Sequence, residues 1–62
     1  MQNREDMQLK AMYYDIASGQ LDDIRKLTAT SENDETKERL GKLREQIIIK
    51  LVDQLESVDN KK

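Results

Sequence analysis

Apolar residues recur at three- and four-residue intervals along most of this 62-residue chain, and this spacing constrains the fold more than any other feature. An α-helix turns by about 100° per residue, so such spacing collects apolar side chains on one side of a helix. The chain has no proline, two glycines and two aromatic residues, which leaves little to punctuate turns or to build strands. The pattern therefore predicts an all-α protein.

Two periodic segments flank a polar stretch, and together they form a single domain, residues 1–62. The predicted elements are a helix over about 4–28, a polar turn over about 29–33, a helix over about 34–58 and a frayed C-terminal tail. The two helices have similar lengths and a short connection. This arrangement favours an antiparallel two-helix hairpin.

The start of each helix is predicted from capping residues. Asn3 is the candidate N-cap of the first helix. For the second helix Ser31 with Asp34 imitates a capping box, while Asn33 or Asp34 can cap instead, so the start is left open.

Gly19 is the weak point of the first helix. Glycine in a helix interior costs about 1 kcal/mol relative to alanine, and it often ends a helix. A helix end at Gly19 would give three helices rather than two. We predict a continuous first helix, because Leu9, Ile16 and Leu27 keep one phase across the glycine.

Projection at 100° per residue predicts the core side of each helix. The first helix contributes Leu9, Met12, Tyr13, Ile16, Ala17, Ile24 and Leu27, with Gln20 among them. The second helix contributes Leu40, Leu43, Ile47, Ile48, Leu51, Leu55 and Val58, with Gln54 among them. The solvent sides are marked by pairs with an acid four residues before a base: Asp6–Lys10, Asp22–Lys26, Glu35–Arg39 and Glu38–Lys42.

A chain this short is near the lower limit for folding alone, and its usual remedies are disulfides, a metal or oligomerisation. Cysteine and histidine are both absent, so oligomerisation remains. We expect a homodimer that completes a four-helix bundle. The apolar residues left outside the core sides are the predicted contacts with a second copy or a foreign protein: Met7, Tyr14 and Leu21 at seven-residue intervals, and Ile49 and Val52.

The composition also argues against several classes of function. Without histidine or cysteine, the commonest general base and the best nucleophile are missing, so we expect no enzyme, no cofactor and no metal site. A net charge of −2 with interleaved acids and bases disfavours nucleic acid as a partner. No apolar run is long enough for a membrane span or a signal peptide, and we expect a cytoplasmic protein.

The leading hypothesis is a non-enzymatic protein–protein interaction module, namely a small adaptor, inhibitor or regulatory subunit. In length and helix layout the chain also resembles the Rop-like helical-hairpin regulators of plasmid copy number. No sequence motif is shared, so no residue roles are transferred. This resemblance implies the alternative function, a dimeric RNA-binding regulator. Such binding would depend on Arg39, Lys42 or Arg44 and would weaken with salt.

Overall fold

Two α-helices account for nearly all of the structure, a computed structural model that describes residues 4–60. Helix α1 is Arg4–Thr30 and helix α2 is Asp34–Asp59, and they pack against each other as a hairpin. The predicted all-α hairpin is therefore confirmed. The predicted cap Asn3 and the last two residues of the expected tail lie outside the described residues.

Helix α1 ends two residues later than the sequence predicts, and threonine hydroxyl groups bond to backbone carbonyl oxygens in its last turns. Thr28 Oγ1 donates to the carbonyl of Ile24 at 2.8 Å, and Thr30 Oγ1 lies 3.2 Å from the carbonyls of Lys26 and Leu27. The backbone N–H of Ser31 then donates to the carbonyl of Leu27. Only residues 31–33 remain to connect the helices.

Asn33 is the N-cap of α2, which resolves the alternatives that the sequence left open. Its backbone is extended, and its Oδ1 accepts hydrogen bonds from the N–H groups of Glu35 and Thr36 at 2.9 and 3.3 Å. These bonds satisfy two of the amide groups that a helix start leaves without partners. Ser31 acts within the connection instead, where its Oγ lies 3.3 Å from the N–H of Asn33.

Gly19 neither ends nor divides α1, and its φ is not positive. The continuous helix that the sequence favours is the one observed, and the three-helix alternative is wrong. A Cβ atom built on Gly19 would meet nothing within 4 Å. The glycine is therefore an ordinary helical position that lacks a side chain.

The core of the hairpin is small. Ala17, Ile24 and Val58 are its buried apolar residues. Around them lie half-buried side chains that line the seam between the helices: Tyr13, Leu21, Leu40, Ile47, Ile48, Leu51 and Leu55. The predicted core is wrong for five residues, which are exposed: Leu9, Met12, Ile16, Leu27 and Leu43.

These five residues are exposed because the arc of apolar side chains around each helix is wide. One neighbouring helix covers only part of a helix's circumference, and each apolar arc here is wider than that part. In α1 the covered side includes Leu21, which the projection had placed outside the core. The opposite edge of the predicted core side is left in water.

The open end of the hairpin is closed by an ion pair between Lys10 and Asp59. Because these residues lie at opposite ends of the sequence, the contact fixes α1 and α2 as antiparallel. The resulting molecule measures 47 × 15 × 9 Å. It is a single layer of two helices.

Replacing Asn33 by alanine should lower the free energy of unfolding by about 1 kcal/mol, because two amide groups of α2 lose their acceptor. Glu32→Ala, an exposed change one residue earlier in the connection, is the control and should change stability little. Urea unfolding monitored by circular dichroism measures both variants. Equal stability of Asn33→Ala and the wild type would contradict the cap.

Replacing Gly19 by alanine should raise the free energy of unfolding by about 1 kcal/mol, because alanine loses less backbone entropy in a helix and finds open space here. The reverse change at an exposed position of the same helix, Ala11→Gly, should lower it by a similar amount. Thermal and urea unfolding compare the three proteins. A destabilised Gly19→Ala variant would show that the glycine has a role this helix does not reveal.

Candidate interaction surfaces

The single layer leaves two broad faces, one on each side of the plane that contains both helix axes. Each face combines one edge of α1 with the edge of α2 beside it, and shallow hollows between the helices show which edges meet. Nine large apolar side chains are exposed among residues 4–60. Their division between the two faces defines the candidate sites.

The Ile16 face is defined here by five exposed residues: Leu9, Met12, Ile16, Leu27 and Leu43. The first four share one edge of α1 at three-, four- and eleven-residue steps. Leu43 lies on the matching edge of α2, one helical turn before Ile47. At about 1.5 Å per residue, Leu9 to Leu27 spans about 27 Å of the rod. Gln20 and Asp23 lie between Ile16 and Leu27 on the same edge, so the apolar residues of this face form separate groups along that length.

A hollow of about 170 Å³ lies in the middle of the Ile16 face. Its walls include Ile16 and Ala17 of α1 and Ile47 and Leu51 of α2. Two amides, those of Gln20 and Gln54, also line it. Both glutamines that the sequence placed on the core sides thus lie at the surface between the helices.

The Tyr14 face is defined here by four of the predicted contact residues: Met7, Tyr14, Leu21 and Val52. Met7, Tyr14 and Val52 are exposed, whereas Leu21 is half-buried against α2. Val52 lies four residues after Ile48, on the edge of α2 that adjoins this edge of α1. The hairpin therefore brings four of the five predicted contact residues to one side.

Ile49 is the exception. Its side chain is 67% exposed, and its helical position points away from α1 rather than toward either face. It is one apolar residue on the outer side of α2, with charged neighbours one turn away at Glu45 and Asp53. Isolated apolar residues of this kind are common on protein surfaces.

The turn half of the Tyr14 face contains a shallow groove of about 660 Å³. Leu21 and Ile24 form its apolar floor, while Asp22, Arg25 and Arg44 line its sides. Asp22 is bonded to Arg25 at 2.8 Å. Arg44 has no ion-pair partner among residues 4–60, so it contributes an uncompensated positive charge close to the middle of this face.

Some of the charged side chains are paired with an opposite charge in the same helix. The predicted pairs Asp22–Lys26, Glu35–Arg39 and Glu38–Lys42 form at 3.1, 2.8 and 3.9 Å. Lys10, which the sequence paired with Asp6, contacts Asp59 across the hairpin. Positive side chains are thus interleaved with carboxylates on both helices, and the interleaving offers little attraction to a polyanion.

Residues 4–60 contain no group of three or more histidine, cysteine, aspartate or glutamate side chains placed to hold a metal ion. Neither helix in this range has an apolar span long enough to traverse a lipid bilayer. Comparisons with protein-family models, curated proteins and solved structures find no match to this chain.

Sequence reasoning missed the Ile16 face as a surface, because it assigned all five of its residues to the core. The signal that indicates such a surface is the width of the apolar arc. In α1, Met12 and Ala17 lie about 140° apart around the helix, more than one neighbouring helix covers.

The pKa of Asp22 is lowered by its hydrogen bond to Arg25, and further by its contact with Lys26. The folded state therefore favours the ionised form, and this stabilisation is present above the unfolded pKa of about 3.9 and is lost as pH falls through the lower folded value. An NMR titration of the carboxyl carbon should place the Asp22 midpoint below that of an unfolded peptide. Arg25→Gln should raise the midpoint, and an unchanged midpoint in this variant would contradict the assignment.

Proposed function

We propose that this chain is a non-enzymatic protein–protein interaction module, a small adaptor, inhibitor or regulatory subunit that acts through its helical faces. The observation that carries the proposal is the single layer of two helices with exposed apolar side chains on both faces. Domains normally bury apolar faces between two packed layers. In a molecule with one layer, the apolar side chains on its faces stay exposed and are able to bind a partner.

The accessible surface supports this reading. The hairpin exposes 5418 Å², whereas a compact monomer of 7.3 kDa exposes about 4,200 Å². The excess of about 1,200 Å² per chain is larger than the roughly 800 Å² that each partner buries in a standard interface. Covering one face would therefore remove about two thirds of the excess exposed area of this chain.

The proposed working unit is a homodimer in which two hairpins stack as a four-helix bundle. The broad side of the hairpin measures 47 by 15 Å, or about 700 Å². Standard interfaces bury about 800 Å² per partner, so the footprint is of the required size. Two copies of one face also form a closed pair about a twofold axis, which is the commonest symmetry of soluble oligomers.

The chemistry of the described residues favours binding over catalysis. The pKa of Asp22 is lowered by hydrogen bonds from its exposed partners Arg25 and Lys26 and not by burial. Shifted pKa values at active sites usually involve burial in a cleft. The alternative of a dimeric RNA-binding regulator draws no support from the interleaved charges.

A dimer that gains its stability on association should melt at a temperature that depends on protein concentration. Two 62-residue chains have a combined unfolding enthalpy of about 87 kcal/mol, so a tenfold dilution should lower Tm by about 5–6 °C. Circular dichroism over a hundredfold concentration range measures the shift. A cooperative transition at one fixed Tm over this range would contradict the homodimer.

A further inference from the structure

The two faces of the hairpin are not equivalent as surfaces for self-association. The Ile16 face has five exposed large apolar side chains, whereas the Tyr14 face has three, because Leu21 is already half-buried. The apolar residues of the Ile16 face also reach further toward the turn, as far as Leu27 in α1. On the Tyr14 face, Arg25 and Thr28 occupy the corresponding part of α1.

The polar groups of the two faces differ in whether a second copy would supply them with hydrogen-bond partners. In a twofold interface a residue near the axis, in the middle of the face, meets its own counterpart, so a polar group in that position must be able to bond to its own kind. The amides of Gln20 and Gln54 each donate and accept hydrogen bonds, so they can satisfy one another between copies. A buried polar group needs such a partner.

Arg44 cannot be satisfied in this way. A guanidinium group donates hydrogen bonds but accepts none, and two copies would bring two uncompensated positive charges into one interface. Arg44 projects close to the middle of the Tyr14 face, beside Leu21 and Ile24. Lys50 also lines the hollow of the Ile16 face, on the same edge of α2 as Leu43. From that edge its long side chain can keep the ammonium group in water.

We propose that a second copy of this chain docks on the Ile16 face and leaves the Tyr14 face outward. This inference rests on the proposed homodimer and names the surface that forms it. The residues that the sequence placed in the hairpin core then form the core of the dimer. Four of the residues that the sequence selected for partner contacts remain on the outside.

The hairpin offers a matched pair of substitutions that separates the two faces. Ile16 and Tyr14 lie two residues apart in α1, and each side chain is 61% exposed. Aspartate at either position costs the isolated hairpin little, because neither side chain is buried in it. At an apolar interface the same charge is desolvated without a partner.

Sedimentation equilibrium should show that Ile16→Asp weakens dimerisation about a hundredfold or more, while Tyr14→Asp changes it less than about threefold. The reverse result would assign self-association to the Tyr14 face and overturn this inference while the proposed homodimer stands. Dimers retained in both variants would overturn it equally. A wild-type monomer at every concentration would overturn the homodimer itself.

A second measurement avoids any loss of folding in the charged variants. The chain has no cysteine, so Ile16→Cys and Tyr14→Cys each introduce one thiol that iodoacetamide can alkylate. On raising the concentration from monomer to dimer, alkylation should slow at least tenfold in Ile16→Cys and stay constant in Tyr14→Cys. Protection of Tyr14→Cys alone would contradict the proposal.

Discussion

The structure depends on how much apolar surface one helix can cover on another. Packing of α1 against α2 buries Ala17, Ile24 and Val58 and half-covers the side chains around them, and the remaining apolar residues stay in water. Polar interactions shape the ends of the two helices. They are the Asn33 cap, the threonine hydrogen bonds at the end of α1 and the Lys10–Asp59 ion pair. None of them adds apolar burial, which is the dominant favourable contribution to folding. In the proposed dimer, a second copy supplies the missing apolar burial.

The sequence was sufficient for the fold class and for the number of helices, because three- and four-residue spacing and capping chemistry are local properties. It predicted the continuity of α1 through Gly19 for the same reason. It could not decide which part of a wide apolar arc faces the partner helix. That choice depends on the packing of two helices together, and it placed Leu21 against α2 and left Ile16 and Leu27 exposed. The observed α1 also extends two residues past the predicted boundary, to Thr30.

The candidate site follows from the same geometry. Tyr14 and Val52, selected from the sequence as contact residues, lie on one face, and Ile49 lies on the outer side of α2. The opposite face carries the larger set of exposed apolar residues and the two glutamines at its centre. If a second copy covers that face, as proposed, the Tyr14 face keeps an apolar groove beside Arg44, which has no ion-pair partner among residues 4–60.

The central claim is that one layer of two helices needs a second layer to be a stable folded protein. The most direct measurement is the mass of the folded wild-type chain at micromolar concentration, by sedimentation equilibrium with circular dichroism on the same sample. The account predicts a helical species of twice the 7.3 kDa chain mass. A helical species of single-chain mass that unfolds cooperatively would contradict it.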